Sequence, residues 1–340
     1  MATIKDVARL AGVSPTTVSH TVNGTRYVSP QIRAKVLKAI KELDYHPRSS
    51  ARSLRGKRTG VVGLVIPDIA NPFYVPVVRS IEQLMNQRGY NVILCNSEEK
   101  PERERTYIQL LRQREVDGLI IAPTNANYEL LFNLHAAGKP VVLIDRYLSD
   151  PLNDQVLPTV VVDNVAGSRA AVCYLLEQGH RRIALLLNWL PISTSDERYE
   201  GYIQALQEAG IPTDPSLIKR CAASAVEACQ AVDDLLAQPD PPTAIFATNG
   251  PLTIGALLAL RKHGIKCPEA VSVVGFDSLE DVLPLGPMVT TVSQPSQEIG
   301  RRAAELFLAY IDGAGPALPP IERLETHLVI GETSGPVSER

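Results

Sequence analysis

The chain has 340 residues, enough for two or three domains that each bury a core, and its composition excludes low-complexity and disordered classes. The net charge of −3 conceals an asymmetry: residues 1–58 hold 12 Lys/Arg against 3 Asp/Glu, a charge of +9, which leaves −12 for the remainder. A basic head on an acidic body points to an anionic partner for the head alone, with nucleic acid foremost.

Five cysteines (Cys95, Cys173, Cys221, Cys229, Cys267) are odd in number and form no Cys-x-x-Cys, which reads as reduced thiols in a cytoplasm. The first residues carry one early lysine and no apolar h-region, so no secretory signal is expected. Apolar runs such as Ala184–Leu187 and Ala256–Leu260 are far too short to span a membrane.

In chain order, Thr3 precedes Ile4-Lys5-Asp6-Val7-Ala8-Arg9-Leu10-Ala11, a capped helix with Ile4, Val7, Ala8 and Ala11 on one face. Gly12-Val13-Ser14 breaks it. Ser14 caps a second helix that opens on Pro15, a favoured first position, and stops at Asn23-Gly24. Val18 and Val22 face the first helix, while Thr16, Thr17, Ser19 and His20 look outward. Two short helices joined by a tight glycine turn form a helix-turn-helix, whose second helix enters the major groove of DNA. A third helix, Pro30–Leu43, is expected to close the core with Ile32, Val36, Leu37 and Ile40.

Residues 48–58 then run Arg-Ser-Ser-Ala-Arg-Ser-Leu-Arg-Gly-Lys-Arg: five cations, no acid, and Leu54 as the one large apolar side chain. So short a helix is marginal alone, because nucleation costs more than two turns of hydrogen bonds return. It reads as a conditional hinge, coil when free and helical when an anion and a second copy hold it.

Beyond it, apolar runs alternate with helical patterns. Val61–Pro67, Asn91–Cys95, Gly118–Ala122 and Pro140–Ile144 read as buried parallel strands, with helices near 72–88, 102–114 and 128–137 between them. After Thr159–Val162 the scheme restarts through strands at 182–187, 244–247 and 271–276. The expected fold class is an all-α helix-turn-helix head plus an α/β body of two doubly wound lobes, with a ligand cleft outside the carboxyl ends of the strands. His135, His180 and His263 fall in helix C-terminal turns, where a role with the helix dipole is expected.

Polar residues recur where strands end. Asp68 and Asn71 follow the first strand, either as helix caps or as ligand contacts, and Phe73 offers an apolar face. Asp145 ends the fourth strand, Arg198 lies early in a helix, and Asn249, Asp277 and Gln294 follow later strands. Carboxylates and amides accept from vicinal hydroxyls, and arginine donates to ring or acid oxygens.

Thr3-Ile4-Lys5-Asp6-Val7-Ala8, Ala11-Gly12-Val13-Ser14, Thr17-Val18-Ser19-His20, Asn23-Gly24 and Ala51-Arg52-Ser53-Leu54 together resemble the LacI/GalR family of bacterial transcription regulators, and the head is closest to its purine and ribose repressor branch. The resemblance implies that Thr16, Thr17, His20 and Arg26 reach base edges, and that Ser14, Ser19, Asn23, Thr25 and Tyr45 bind phosphates and set register. It implies that two copies of Leu54 wedge a central base step from the minor groove, with Arg55 lying along it. It implies domains of 1–47 for DNA binding, 48–58 for the hinge and 59–340 for effector binding and dimerisation. The body resembles type I periplasmic sugar-binding proteins. Lobe 1 is then expected at about 59–161 and 291–322, and lobe 2 at about 162–290 and 323–340.

Asp68, Asn71, Phe73, Asp145, Arg198, Asn249, Asp277 and Gln294 are the expected effector residues; the resemblance implies that the last four, Arg198, Asn249, Asp277 and Gln294, occupy places that bind effector in the family. Two departures stand out. The family's usual Asn-Asp is Asn249-Gly250 here, and its Gly-Asp-aromatic segment is Cys221-Ala222-Ala223-Ser224.

The reading is a repressor that binds a palindromic operator in double-stranded DNA as a homodimer, controlled by a small molecule, a sugar or sugar derivative, in the cytoplasm and with no membrane role. A solute-binding protein, or a repressor controlled by a protein corepressor, are the alternatives. No Walker loop, Gly-x-Gly-x-x-Gly, Gly-x-Ser-x-Gly or His-Glu-x-x-His occurs, and no His/Cys group has metal spacing, so neither an enzyme, a cofactor nor a metal is expected. The last residues hold no leucine heptad, so no terminal coiled coil is expected.

Overall fold

The structure is a computed structural model that describes residues 2–23, 26–45, 58–148, 157–279, 288–313 and 321–338. The chain divides into two compact units, Met1–Thr59 and Gly60–Arg340.

Among the described residues, three helices build the first unit: α1 (Ile4–Ala11), α2 (Pro15–Asn23) and α3 (Pro30–Glu42). Thr3 and Asp6 form a reciprocal capping box, in which the Thr3 N–H donates to Asp6 Oδ2 at 2.9 Å and Asp6 N–H donates back to Thr3 Oγ1 at 3.4 Å. Gly12 adopts φ +66°, the left-handed conformation that ends α1 without a Cβ clash. Val7, Ala8, Ala11, Val18, Val36 and Ala39 form the core, with Ile4, Val22, Ile40, Leu43 and Tyr45 packed around it.

The third helix departs from expectation. Ile32 and Leu37 are exposed, and the core takes Val36 and Ala39, with Ile40 and Leu43 beside them. The core-facing side is therefore Val36, Ala39, Ile40 and Leu43 in place of Ile32, Val36, Leu37 and Ile40.

The second unit contains two sheets of six strands. The first has the order β11-β5-β4-β3-β1-β2, from β1 (Val61–Ile66), β2 (Asn91–Asn96), β3 (Gly118–Ile121), β4 (Val141–Ile144), β5 (Thr159–Val162) and β11 (Ile321–Leu324), all parallel. The second has the order β12-β10-β9-β8-β6-β7, from β6 (Ile183–Asn188), β7 (Ile218–Cys221), β8 (Ala244–Ala247), β9 (Ser272–Phe276), β10 (Thr290–Ser293) and β12 (His327–Val329). Only the β10–β12 pair is antiparallel.

Helices cover both faces, as buried parallel sheets require. On the first sheet, α4 (Tyr74–Gln87) and α11 (Ser296–Ile311) bury Val77, Ile81, Met85, Ala303 and Phe307 on one face, against Leu64, Ile120 and Ile144. Ile108 and Leu111 of α5 (Pro101–Gln113), with Leu131 and Leu134 of α6 (Tyr128–Ala136), fill the other. On the second sheet, α7 (Asn164–Glu177) and α8 (Ser193–Glu208) cover one face. The helices α9 (Ala225–Leu236) and α10 (Gly250–Lys262) cover the other.

The chain passes between the sheets three times: after β5, after β10 and between β11 and β12. The second passage lies later than the sequence suggested. Thr290–Ser293 does not return to the first lobe but pairs in parallel with β9, Thr290 opposite Val274. The Thr290 N–H donates to Thr333 Oγ1 at 3.0 Å, and the Ser334 hydroxyl meets Thr290 Oγ1 at 2.6 Å, so buried hydroxyls fix the strand in the second lobe. Only α11 crosses back. All of β11, through Leu324, belongs to the first lobe.

The three histidines do more than end helices. The His180 ring bridges Thr243 Oγ1 at 2.9 Å and the Gly335 carbonyl at 3.0 Å, His263 Nε2 meets Asp233 Oδ1 at 2.7 Å, and His135 packs edge-on against Tyr310.

Candidate functional site

In the first unit, the Ser14 Oγ accepts from the Thr17 N–H at 3.1 Å and lies 2.9 Å from the Thr17 hydroxyl, so Ser14 caps α2. Val18 is wholly buried, which fixes the roll of the helix and turns Thr16 outward, exposed, with Thr17, Ser19 and His20 half-buried on its flanks. Asn23 is the last residue of the helix, Arg26 is exposed just beyond it, and Tyr45 is half-buried against the three-helix core. Thr25, Leu54 and Arg55 lie outside the described residues.

In the second unit, the carboxyl ends of the two sheets face one cleft. Asn71, Phe73, Asp145, Arg198, Asn249, Asp277 and Gln294 all line it, and Asp68 lines an adjoining chamber at its mouth. The two strand-end aspartates are conformationally alike: Asp145 has φ +65° and Asp277 has φ +81°, left-handed values that a residue other than glycine rarely adopts. Such strain gathers at ligand sites.

Each lobe contributes a hydrogen-bonded group. On the first, Tyr74 donates its hydroxyl to Asp145 Oδ2 at 2.7 Å, and Arg146 donates to both Glu99 oxygens at 3.0 and 2.7 Å. Burial works against the Arg146 cation, yet Glu99 raises its pKa above the ordinary value, and the pair is fixed. Burial, reinforced by the Asp145 charge, pushes the Tyr74 phenol well up, so it stays a neutral donor.

On the second lobe, Arg198 Nε donates to Asn164 Oδ1 at 2.8 Å and Nη1 to the Thr248 carbonyl at 2.5 Å. Asp277 accepts from the Gly250 N–H at 3.1 Å and from Gln294 Nε2 at 2.5 Å. Burial raises the Asp277 carboxyl, opposed by Arg198 and Gln294, and burial lowers Arg198, which nevertheless remains a cation. Gln294 Oε1 is buried and accepts no hydrogen bond. Asn249 caps α10 by accepting from the Leu252 N–H at 2.9 Å, Asn71 accepts from the Phe73 N–H at 3.1 Å, and both residues line the cleft.

The glycine at 250 fits this geometry. A Cβ there would stand 3.8 Å from both Asp277 Oδ2 and Asn71 Oδ1, so a carboxylate side chain would enter among oxygen acceptors. Tyr74, Glu99, Asn188, Thr194, Ser195 and Thr248 also line the cleft and were not singled out from sequence. Tyr74 adjoins Phe73 in the first helix of the lobe, a signal that was available; Glu99 sits in a turn at φ +56°, which no pattern announced.

The family model for periplasmic binding proteins and the sugar-binding domain of the LacI family matches residues 59–327, and that for bacterial regulatory proteins of the lacI family matches residues 3–48. The chain belongs to the LacI family. Among curated relatives it is 37% identical over 314 residues to the HTH-type transcriptional repressor PurR of Vibrio atlanticus (strain LGP32), covering 92% of each chain. Among solved structures it resembles the lac repressor dimer bound to operator and the anti-inducer ONPF, at 28% identity, TM-score 0.79, and coverage of 98% of this chain and 99% of that one. It also resembles a complex of the transcriptional regulator CelR with cellobiose, at 32% identity, TM-score 0.71, and coverage of 98% and 100%.

This LacI-family chain is a DNA-binding transcription regulator controlled by a small-molecule effector, in a family of regulators rather than enzymes. No helix among the described residues is long and apolar enough to cross a membrane, and no group of three or more His, Cys, Asp or Glu among them could hold a metal ion.

Proposed function

We propose that this regulator represses transcription from a palindromic operator as a homodimer in the cytoplasm, and that the cleft takes a neutral sugar or sugar derivative. Residues 1–47 read DNA, 48–58 form the hinge that carries the Leu54 wedge, and 59–340 bind effector and dimerise. Thr16, Thr17, His20 and Arg26 meet base edges. Ser14, Ser19, Asn23, Thr25 and Tyr45 hold the phosphates, and Arg55 follows the minor groove.

The observation that carries the effector reading is the second-lobe group: a buried acceptor at Gln294 Oε1 with no partner, beside Asp277 and Arg198. A buried acceptor left unmade costs about 1–3 kcal/mol, which a hydroxyl donor removes. Because Glu99 compensates the Arg146 charge and Arg198 faces Asp277, neither cation is left uncompensated for an acid, and a polyol matches the mixed acceptors and donors, Gln294 Oε1 and the buried, unpartnered Arg146 Nε among them.

Thermal denaturation against sugars, sugar phosphates, purines and small acids tests it. Neutral sugars are expected to raise the midpoint by mass action on the folded state. Stabilisation by purines or acids alone would replace the ligand class, and stabilisation by none of them would favour a protein corepressor.

A further inference from the structure

The cleft does not end at the polar group described above. It opens, through the shared residues Asn71, Tyr74, Glu99, Asn188 and Ala223, into an outer chamber. The wall of that chamber carries Trp189, the chain's only tryptophan, 60% exposed although it lies on a loop otherwise tied down. The Trp189 N–H donates to the Cys221 carbonyl at 3.0 Å, and the Leu190 N–H donates to Asn188 Oδ1 at 3.2 Å. The indole is thus presented to solvent on a fixed backbone, opposite the small side chains Ala222 and Ala223 that leave room for a ring.

Two of the chamber's three acids are paired with cations. Glu98 pairs with Lys100 at 3.1 Å and with Arg103, Glu99 pairs with Arg146, and Asp68 accepts from the Ala70 N–H at 2.9 Å. The two glutamates keep acceptor lone pairs but little net charge, and Asp68 adds a further acceptor, which suits hydroxyls. An exposed aromatic face with acceptors around its rim stacks on the C–H face of a sugar ring and holds its edge.

We propose that Trp189 forms the platform of an outer subsite, so that the effector has the length of a disaccharide, one ring held by Arg198, Asp277 and Gln294 and the second stacked on the indole. This inference rests on the sugar reading of the cleft.

Because Trp189 is the only tryptophan, its emission, excited selectively over the 11 tyrosines, reports this subsite. The full chain is titrated with cellobiose, maltose, lactose and sucrose, with glucose, galactose and fructose, and with adenosine and guanosine, by fluorescence and thermal shift in parallel. One disaccharide is expected to bind at least about tenfold more tightly than its component monosaccharides and to shift the emission to shorter wavelength. Trp189→Ala should weaken that disaccharide by about tenfold and the monosaccharides by much less, with Trp189→Phe between wild type and alanine. The unliganded midpoints of both variants are compared with wild type to show that they fold. A monosaccharide that binds as tightly as every disaccharide with emission unmoved, or a nucleoside that takes the site instead, overturns the outer subsite. Stabilisation by no sugar at all overturns the sugar reading itself.

Discussion

The Arg198 guanidinium sits over the Phe276 ring, its central carbon 3.7 Å from the ring centroid. The ring supports the cation from below, while Asn164 and Thr248 accept two of its N–H groups in the plane. Asn164 in turn donates to Glu197 Oε2 at 2.9 Å, and Arg323 of β11 donates to Glu197 Oε1 at 2.7 Å. The cleft arginine is therefore joined by hydrogen bonds to one of the three places where the chain passes between lobes.

Arg198→Lys is expected to abolish the sugar-induced rise in thermal midpoint, because an ammonium cannot both stack on Phe276 and donate in two fixed directions. Arg198→Ala should do so too and also destabilise the unliganded protein, by about 1–3 kcal/mol for each buried acceptor left unpaired. Denaturant unfolding and thermal shift measure the two effects; a lysine variant that keeps the full response would remove Arg198 from the site.

The lobe that carries Asp145 depends on a close helix contact. A Cβ at Gly300 would come 2.4 Å from the Val77 carbonyl oxygen and 2.9 Å from the Ser80 Cβ, so α11 sits directly on the backbone of α4. Gly300→Ala gains up to about 1 kcal/mol of helix propensity and loses about 1–3 kcal/mol or more to overpacking. Since the nearest atom is backbone and cannot swing away, the loss prevails. A lower melting midpoint is expected, and an unchanged or higher one would show that the helices part without cost.

Burial lowers the His180 pKa below its ordinary value of 6.5, against a smaller opposing effect from the Gly335 carbonyl. The folded state thus resists a proton that the unfolded chain accepts. The sign is that of a depressed pKa: stability is present above 6.5 and is lost as pH falls toward the folded value. Melting midpoints measured from pH 8 down to pH 5 should drop further for wild type than for His180→Asn. Parallel curves would mean the ring titrates alike in both states.

Much of this was legible in the chain. Alternating apolar runs put Asp145, Asn249, Asp277 and Gln294 at the carboxyl ends of strands, because a parallel sheet buried on both faces writes itself as uninterrupted Val, Ile and Leu. What such runs do not encode is sheet membership. Thr290-Thr291-Val292-Ser293 reads alike in either lobe, and its place is decided by Thr333 and Ser334, some forty residues on. Ile32 and Leu37 misled for a related reason: apolar spacing names a face, while the partner helix selects which part of it is buried. The Arg146–Glu99 pair joins residues 47 apart through a turn in left-handed backbone, and no local pattern records it.

The account depends on a cleft in one unit governing how the other grips DNA. The direct test is the dissociation constant of the full chain for a palindromic duplex selected from random DNA, measured with and without a saturating stabilising sugar. The operator constant is predicted to change by ~5–150-fold, with the sugar's own affinity changing by the same factor when operator is present. Equal binding to the palindrome and to random duplex, unaltered by the sugar, would contradict it.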